Sequence, residues 1–137
     1  MQLPFELERF LADARIAVIS TVRRDGSPAS TPCWFDLQGE RIVITMYAVA
    51  RRLHNLRRDP RVAMTIVGEN TFQHLSFSGH VVEMWDDPDM QVLDRLSMRY
   101  TGATWPERRP CVSALVAIDH WHSSRLLSSS TDYGSPR

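Results

Sequence analysis

The sequence predicts a mainly β fold, a six-stranded antiparallel barrel with three short helices, held in one domain. Three observations predict it. Apolar, β-branched runs of strand length recur along the chain, tight-turn signals separate them, and only three segments change to helical spacing. A chain of 137 residues can bury a hydrophobic core, and its 43% hydrophobic and 23% charged residues are ordinary for a globular domain.

The first helix is read over residues 5–12, where Phe5, Leu7, Phe10 and Leu11 alternate with Glu6, Glu8 and Arg9. Residues 15–22 (RIAVISTV) form the first strand, ended by the Asp25-Gly26 turn and Pro28. A second strand over 29–37, a turn at Gln38-Gly39 and a third strand over 41–47 complete an antiparallel meander. Val49, Leu53 and Leu56 then recur at helical spacing, and Asp59-Pro60 stops that helix. Strands return over 61–67 and, after Gly68-Glu69-Asn70, over 71–85, where Gly79 marks a bulge or bend. Asp86, Asp87 and Pro88 open a third helix that ends near Tyr100-Thr101-Gly102. The last strand spans 111–119. The domain is placed at 1–122 and a mobile, Ser-rich tail at 123–137.

Sixteen basic and sixteen acidic residues cancel, so no global field draws this chain to nucleic acid or to an anionic membrane. All the side-chain cations apart from histidine are Arg; the sequence contains no Lys. Any cationic ligand site is therefore a guanidinium fork rather than an ammonium. No apolar run reaches the length of a membrane span and MQLPFELERF does not read as a signal peptide, so the expected location is the cytoplasm. Cys33 and Cys111 make neither a disulfide framework nor a metal pattern, and are read as small buried strand residues.

Candidate chemistry centres on the helix at 49–59. Arg57 and Arg58 in its last turn suit the helix dipole, whereas Arg51 and Arg52 lie in the first turn beside unpaired backbone N–H groups. Cations there either point into solvent or gather around an anion such as a phosphate. Asn55, one turn on, can bond the incoming chain or orient an Arg. In the second strand Ser30, Pro32, Trp34 and Asp36 alternate with Thr31, Cys33 and Phe35. Pro32 cannot donate to a ladder and so marks an edge, whose free groups beside Thr31 and Trp34 could meet a flat heteroaromatic ring; Trp34 also reads as a core residue. His120 and His122 share one strand face, as do His74 and His80, without a third ligand at metal spacing. The chain carries no Gly-rich phosphate loop, G-x-S-x-G elbow, H-E-x-x-H or paired carboxylates, and so no catalytic residue is assigned. Such scarcity of acid–base machinery points to chemistry carried by a cofactor.

The runs ARIAVISTVRRDGSPASTPCWF, RIVITMY and ARRLHNLRRDPRVAMTIV, with Ser78-Gly79 and R-Y-T-G at 99–102, resemble the pyridoxamine-phosphate-oxidase-like split β-barrels. More narrowly they are similar to the flavin and deazaflavin (coenzyme F-420) dependent reductases. The resemblance covers about 15–118 and implies an FMN-binding type of split barrel, a homodimer and cofactors lying between the barrels. It implies that Arg52, with Arg51 beside it, holds the phosphate end, while Ala50 stands where another cation is common. Thr31, Pro32, Trp34, Thr45 and Met46 would border the ring, and Phe72 and His74 would reach in from the second protomer. The implied activity is hydride transfer between F-420 or FMN and a small organic substrate. A flavin, deazaflavin or haem binding or storage protein on the same barrel is the alternative. Pyridoxamine-phosphate oxidase activity is expected less, because that enzyme's C-terminal substrate motif is not visible.

Overall fold

The computed structural model describes residues 3–13, 15–126 and 133–134. Helix α1 (Phe5–Ala12) is followed by β1 (Ile16–Val22), β2 (Pro28–Cys33), β3 (Asp36–Gln38) and β4 (Arg41–Tyr47). Next come α2 (Arg51–Arg58), β5 (Arg61–Val67), β6 (His74–Asp87), α3 (Gln91–Thr101), β7 (Cys111–Ser124) and the two-residue β8 (Tyr133–Gly134). All ladders are antiparallel, and seven strands run in the order β2-β1-β5-β6-β7-β4-β3, with β8 paired to β7. Among the described residues no helix is long and apolar enough to cross a membrane.

The six-strand expectation needs correction. The segment expected as one strand over 29–37 is two: β2 pairs with β1 and β3 pairs with β4. Trp34 and Phe35 make the break. Trp34 stacks on Tyr100 at 4.9 Å between ring centroids, Phe35 is wholly buried, and the Phe35 N–H donates to the Tyr100 hydroxyl at 3.3 Å. β2 and β3 are the two ends of the strand order, yet only Trp34 and Phe35 separate them. That short link holds the two sheet edges within about 11 Å of each other. No ladder joins β2 to β3 among the described residues, so hydrogen bonding does not close the sheet.

Other boundaries move for local reasons. The Asn70 carboxamide accepts the Phe72 N–H at 2.9 Å, which keeps Thr71 and Phe72 in a turn and delays β6 to His74. Asp86 and Asp87 finish β6 instead of opening α3. β7 continues to Ser124, past the expected limits of both the strand and the domain; most of the expected tail lies outside the described residues. Gly79 does mark a bulge: the β6–β7 register shifts between Ser78 and Gly79, and a Cβ at Gly79 would collide with the Ala117 carbonyl.

The main core gathers Ile19, Ile42, Ile44, Ile66, Leu75 and Val116 from the sheet. Leu7 and Leu11 of α1 and Leu53 and Leu56 of α2 also pack into this core. A smaller cluster on the other side of β4 packs Val43 and Leu115 under Val92 and Leu96 of α3, with Trp34 and Trp85 at its margin. With α2 and α3 thus anchored on the sheet, residues of both join the end of β2 in lining the candidate site.

Candidate functional site

Two cavities adjoin at Pro32, Ala50 and Arg52. The first, about 560 Å³, is walled by Trp34, Tyr47, Tyr100 and Trp105 with Cys33, Thr45 and Met46. The second, about 660 Å³, is lined by Arg23, Arg24, Arg51, Arg52, Arg58 and His54 among others, and by no acidic residue among the described residues. One volume is aromatic and apolar and the next is cationic, so together they suit a ligand with a flat ring at one end and an anion at the other.

Arg52 stands at the junction, in the first turn of α2, with the half-buried side chain reaching back to β4. Its Nη2 donates to the Thr45 carbonyl at 3.0 Å, while its Nε is buried with no hydrogen-bond partner among the described residues. Burial lowers the guanidinium's pKa, the sign of a charge held away from water. The N-cap residue Ala50 offers no side-chain cap and the first turn holds no acid. A half-buried cation, an orphaned donor and uncapped N–H groups are three local deficits that one anion would satisfy.

The other expected site residues divide between the cavities. Trp34, Thr45 and Met46 line the aromatic cavity, Thr31, Arg51 and Asn55 line the basic one, and Pro32 lines both. Pro32 sits on β2, an end strand of the sheet, as its missing N–H requires. Arg51 is exposed. Asn55 orients neither first-turn Arg: its Nδ2 donates to Thr21 Oγ1 at 3.1 Å and its Oδ1 accepts from Arg58 at 3.0 Å. Phe72 and His74 line neither cavity.

The aromatic wall went beyond the residues expected. Trp34 is stacked on Tyr100 and meets Trp105 edge-on at 5.5 Å, while Trp105 Nε1 donates to the Tyr47 hydroxyl at 2.8 Å. The Tyr100 hydroxyl donates to the Arg15 carbonyl at 2.9 Å, and burial raises its pKa. The polar atoms of Tyr47, Tyr100 and Trp105 are each occupied by protein, which fixes the wall and presents flat faces. Tyr100 belongs to the R-Y-T-G run, a signal already visible; Trp105, in an irregular stretch, carried none.

The histidines lie on β6 and β7. His74 and His122 approach at 5.7 Å between ring centroids, and His80 Nδ1 lies 2.8 Å from Asp119, the residue left over by the Gly79 bulge. Among the described residues no three His, Cys, Asp or Glu side chains group as a metal site.

Cys111 is buried as expected, but Cys33 is only half-buried and lines the aromatic cavity. Burial pushes the Cys33 thiol up to about 11. At pH 8 its thiolate fraction is then about a hundredfold below that of an ordinary thiol. Iodoacetamide should modify native Cys33 about a hundred times more slowly than the unfolded chain, as peptide mass spectrometry after timed quenching would show. The raised pKa also favours folding below the ordinary thiol range, a contribution lost as pH rises through about 11.

Residues 3–124 match the family model for pyridoxamine 5'-phosphate oxidase. No curated protein matches the sequence significantly. Among solved structures, an F420 reductase superposes with a TM-score of 0.78 at 25% identity, covering 87% of this chain and 98% of that one. A conserved hypothetical protein from Mycobacterium tuberculosis gives 0.73 at 24% identity, with 96% and 91% covered. The haem storage protein HutZ from Vibrio cholerae gives 0.66 at 18% identity, with 92% and 97% covered, a likeness of fold. The matched residues span nearly the whole described chain, and the segments that build both cavities fall inside them, so this chain belongs to the pyridoxamine 5'-phosphate oxidase-like family.

Proposed function

We propose that the protein is a cytoplasmic oxidoreductase that binds coenzyme F-420 or FMN and moves hydride to or from a small organic substrate. The observation that carries this reading is Arg52, a half-buried guanidinium whose buried Nε has no partner among the described residues, where an aromatic cavity meets a basic one. The family match and the F420 reductase among the structural relatives support it. The residues present fit such a cofactor: Arg52 and Arg51 would hold its phosphate, and Thr31, Pro32, Trp34, Thr45 and Met46 would border its ring.

The bound cofactor supplies the hydride chemistry. The chain's own part is to bind, orient and exclude water. Arg52 and the N-terminus of α2 neutralise the anion, and the interlocked rings of Trp34, Tyr100 and Trp105 hold a flat, dry wall. None of His54, His74, His120 or His122 lines the aromatic cavity. Replacing any one with Ala should leave steady-state substrate reduction within about a hundredfold of wild type. A loss of several further decades with cofactor binding intact would reveal a catalytic acid.

A homodimer is part of the proposal. Ile16, the first residue of β1, and Val49, just before α2, are 73% and 76% exposed, and the outer edge of β2 is unpaired among the described residues. Sedimentation at micromolar concentration should give twice the 15.7 kDa chain mass. A cofactor-loaded monomer would overturn the dimer.

Titration with FMN and with F-420, followed by absorbance and by turnover with candidate acceptors, tests the whole reading. Binding without turnover of any acceptor would favour the storage role, which the haem storage relative and the adjacent imidazoles of His74 and His122 support.

A further inference from the structure

Residues 102–110, between α3 and β7, belong to no helix or strand, yet they carry Trp105 into the wall of the aromatic cavity. With no ladder or helix to fix it, a residue there is placed by the bonds its own polar groups find. One ion pair serves both backbone groups of Trp105. Asp94 Oδ1 accepts the Trp105 N–H at 3.2 Å, and Arg108 Nη1 donates to the Trp105 carbonyl at 3.0 Å. The pair itself is a fork: Arg108 Nη1 donates to Asp94 Oδ1 at 2.7 Å and Nη2 to Oδ2 at 3.0 Å. Nη2 also donates to the Asp89 carbonyl at 3.1 Å, which ties the loop to the segment just before α3.

Local chemistry suits each member to this place. Asp94 lies in the first turn of α3, where the helix dipole favours an acid, and the donation from Arg108 holds its carboxyl below the usual carboxylate range. Pro106 biases the residue before it, Trp105, toward extended backbone. The indole is then caught from the other side, with Nε1 bonded to the Tyr47 hydroxyl and the ring edge-on to Trp34. The Tyr47 hydroxyl in turn donates to the Glu107 carbonyl at 3.2 Å, back in the same loop. Neither Asp94 nor Arg108 lines either cavity, and Trp105 is the cavity residue that both of them bond.

We propose that Asp94 and Arg108 are positioning residues that hold Trp105 as the ring-gripping wall of the aromatic cavity. The inference rests on the flavin-type reading above, and it adds residues outside the cavity on which affinity for the ring depends. An indole offers a broad, rigid, apolar surface to a flat ligand. On an unheld loop, binding would first have to order that side chain and its backbone, and the contact would be worth less.

A double-mutant cycle tests this, with FMN titrated by fluorescence, or F-420 where wild type takes only that ligand. Trp105→Ala should weaken binding by about tenfold to a hundredfold, the scale of one buried aromatic side chain. Asp94→Ala should weaken it by about three- to tenfold, the scale of one hydrogen bond. The double variant should match Trp105→Ala within about twofold, because Asp94 then has nothing left to position. Arg108→Ala, the more exposed member, repeats the cycle should Asp94→Ala disturb the start of α3. Losses that multiply, as a general loosening of the fold would make them, overturn the proposal and leave flavin binding intact. Wild-type affinity in Trp105→Ala, or in both Asp94→Ala and Arg108→Ala, overturns it equally. Failure of wild type to bind either FMN or F-420 removes the flavin reading and the positioning role with it.

Discussion

Arg52→Ala should weaken binding of FMN or F-420 by roughly 2–4 kcal/mol, the cost of removing one partner from a desolvated charge pair. Among the described residues this guanidinium makes one hydrogen bond, to the Thr45 carbonyl, while its buried Nε has no partner and burial opposes its charge. An anion at the head of α2 would relieve all of that at once. Loss of the side chain should therefore cost the apoprotein little stability, or raise it slightly, even as affinity falls. Arg58 is a poor comparison, since it also lines the basic cavity and ties Asn55 to the Val22 carbonyl. Arg57, exposed and outside both cavities, is the better control and should leave affinity unchanged. Fluorescence titration of both variants, with urea unfolding of the apoproteins, decides it. Equal affinity in Arg52→Ala, Arg57→Ala and wild type would remove the phosphate assignment.

What was legible in the sequence follows from how local its causes are. Alternation places β1 and β5 to within a residue, because each buries every second side chain against one core, and a continuous apolar run places β4, which is buried on both faces. The first turn of α2 is readable for the same reason: an Arg pair ahead of Leu53 and Leu56 sits at the helix start whatever surrounds it. The break at Trp34–Phe35 is not readable, since both residues favour strands and the hydroxyl that interrupts them belongs to Tyr100. Asp87 reads as an ordinary helix-start acid; its bond to Ser113 exists only through the β6–β7 register, itself shifted by the Gly79 bulge. Asn55 was readable in part. Its spacing was right for touching an Arg, and which Arg it touches depends on where β1 places Thr21.

Arg99→Ala should lower global stability by about 3–5 kcal/mol, the range for breaking a buried charged contact. Its guanidinium donates to the carbonyls of Ala12, Leu11 and Asp13 at 2.7, 2.8 and 2.6 Å, so one side chain from α3 serves three carbonyls at the C-terminus of α1. Asp36 lies 3.3 Å away and the guanidinium packs 5.4 Å from the Phe35 ring centroid, which ties the same group to the break between β2 and β3. The side chain is 15% exposed, so solvent would replace few of these bonds. Against a typical total of about 5–15 kcal/mol, the loss would be severe. Arg99→Lys keeps the charge but not the planar fork, and a compact ammonium cannot reach three diverging carbonyls; it should recover no more than about half of the loss. Because Tyr100 is the next residue and its hydroxyl pins Arg15 and Phe35, the cavity wall should loosen with the fold, and cofactor affinity should fall in proportion to the unfolded fraction at the assay temperature. Urea unfolding of both variants measures the first effect, and titration at two temperatures the second. A change in stability below about 1 kcal/mol would mean that water satisfies the end of α1 as well as Arg99 does.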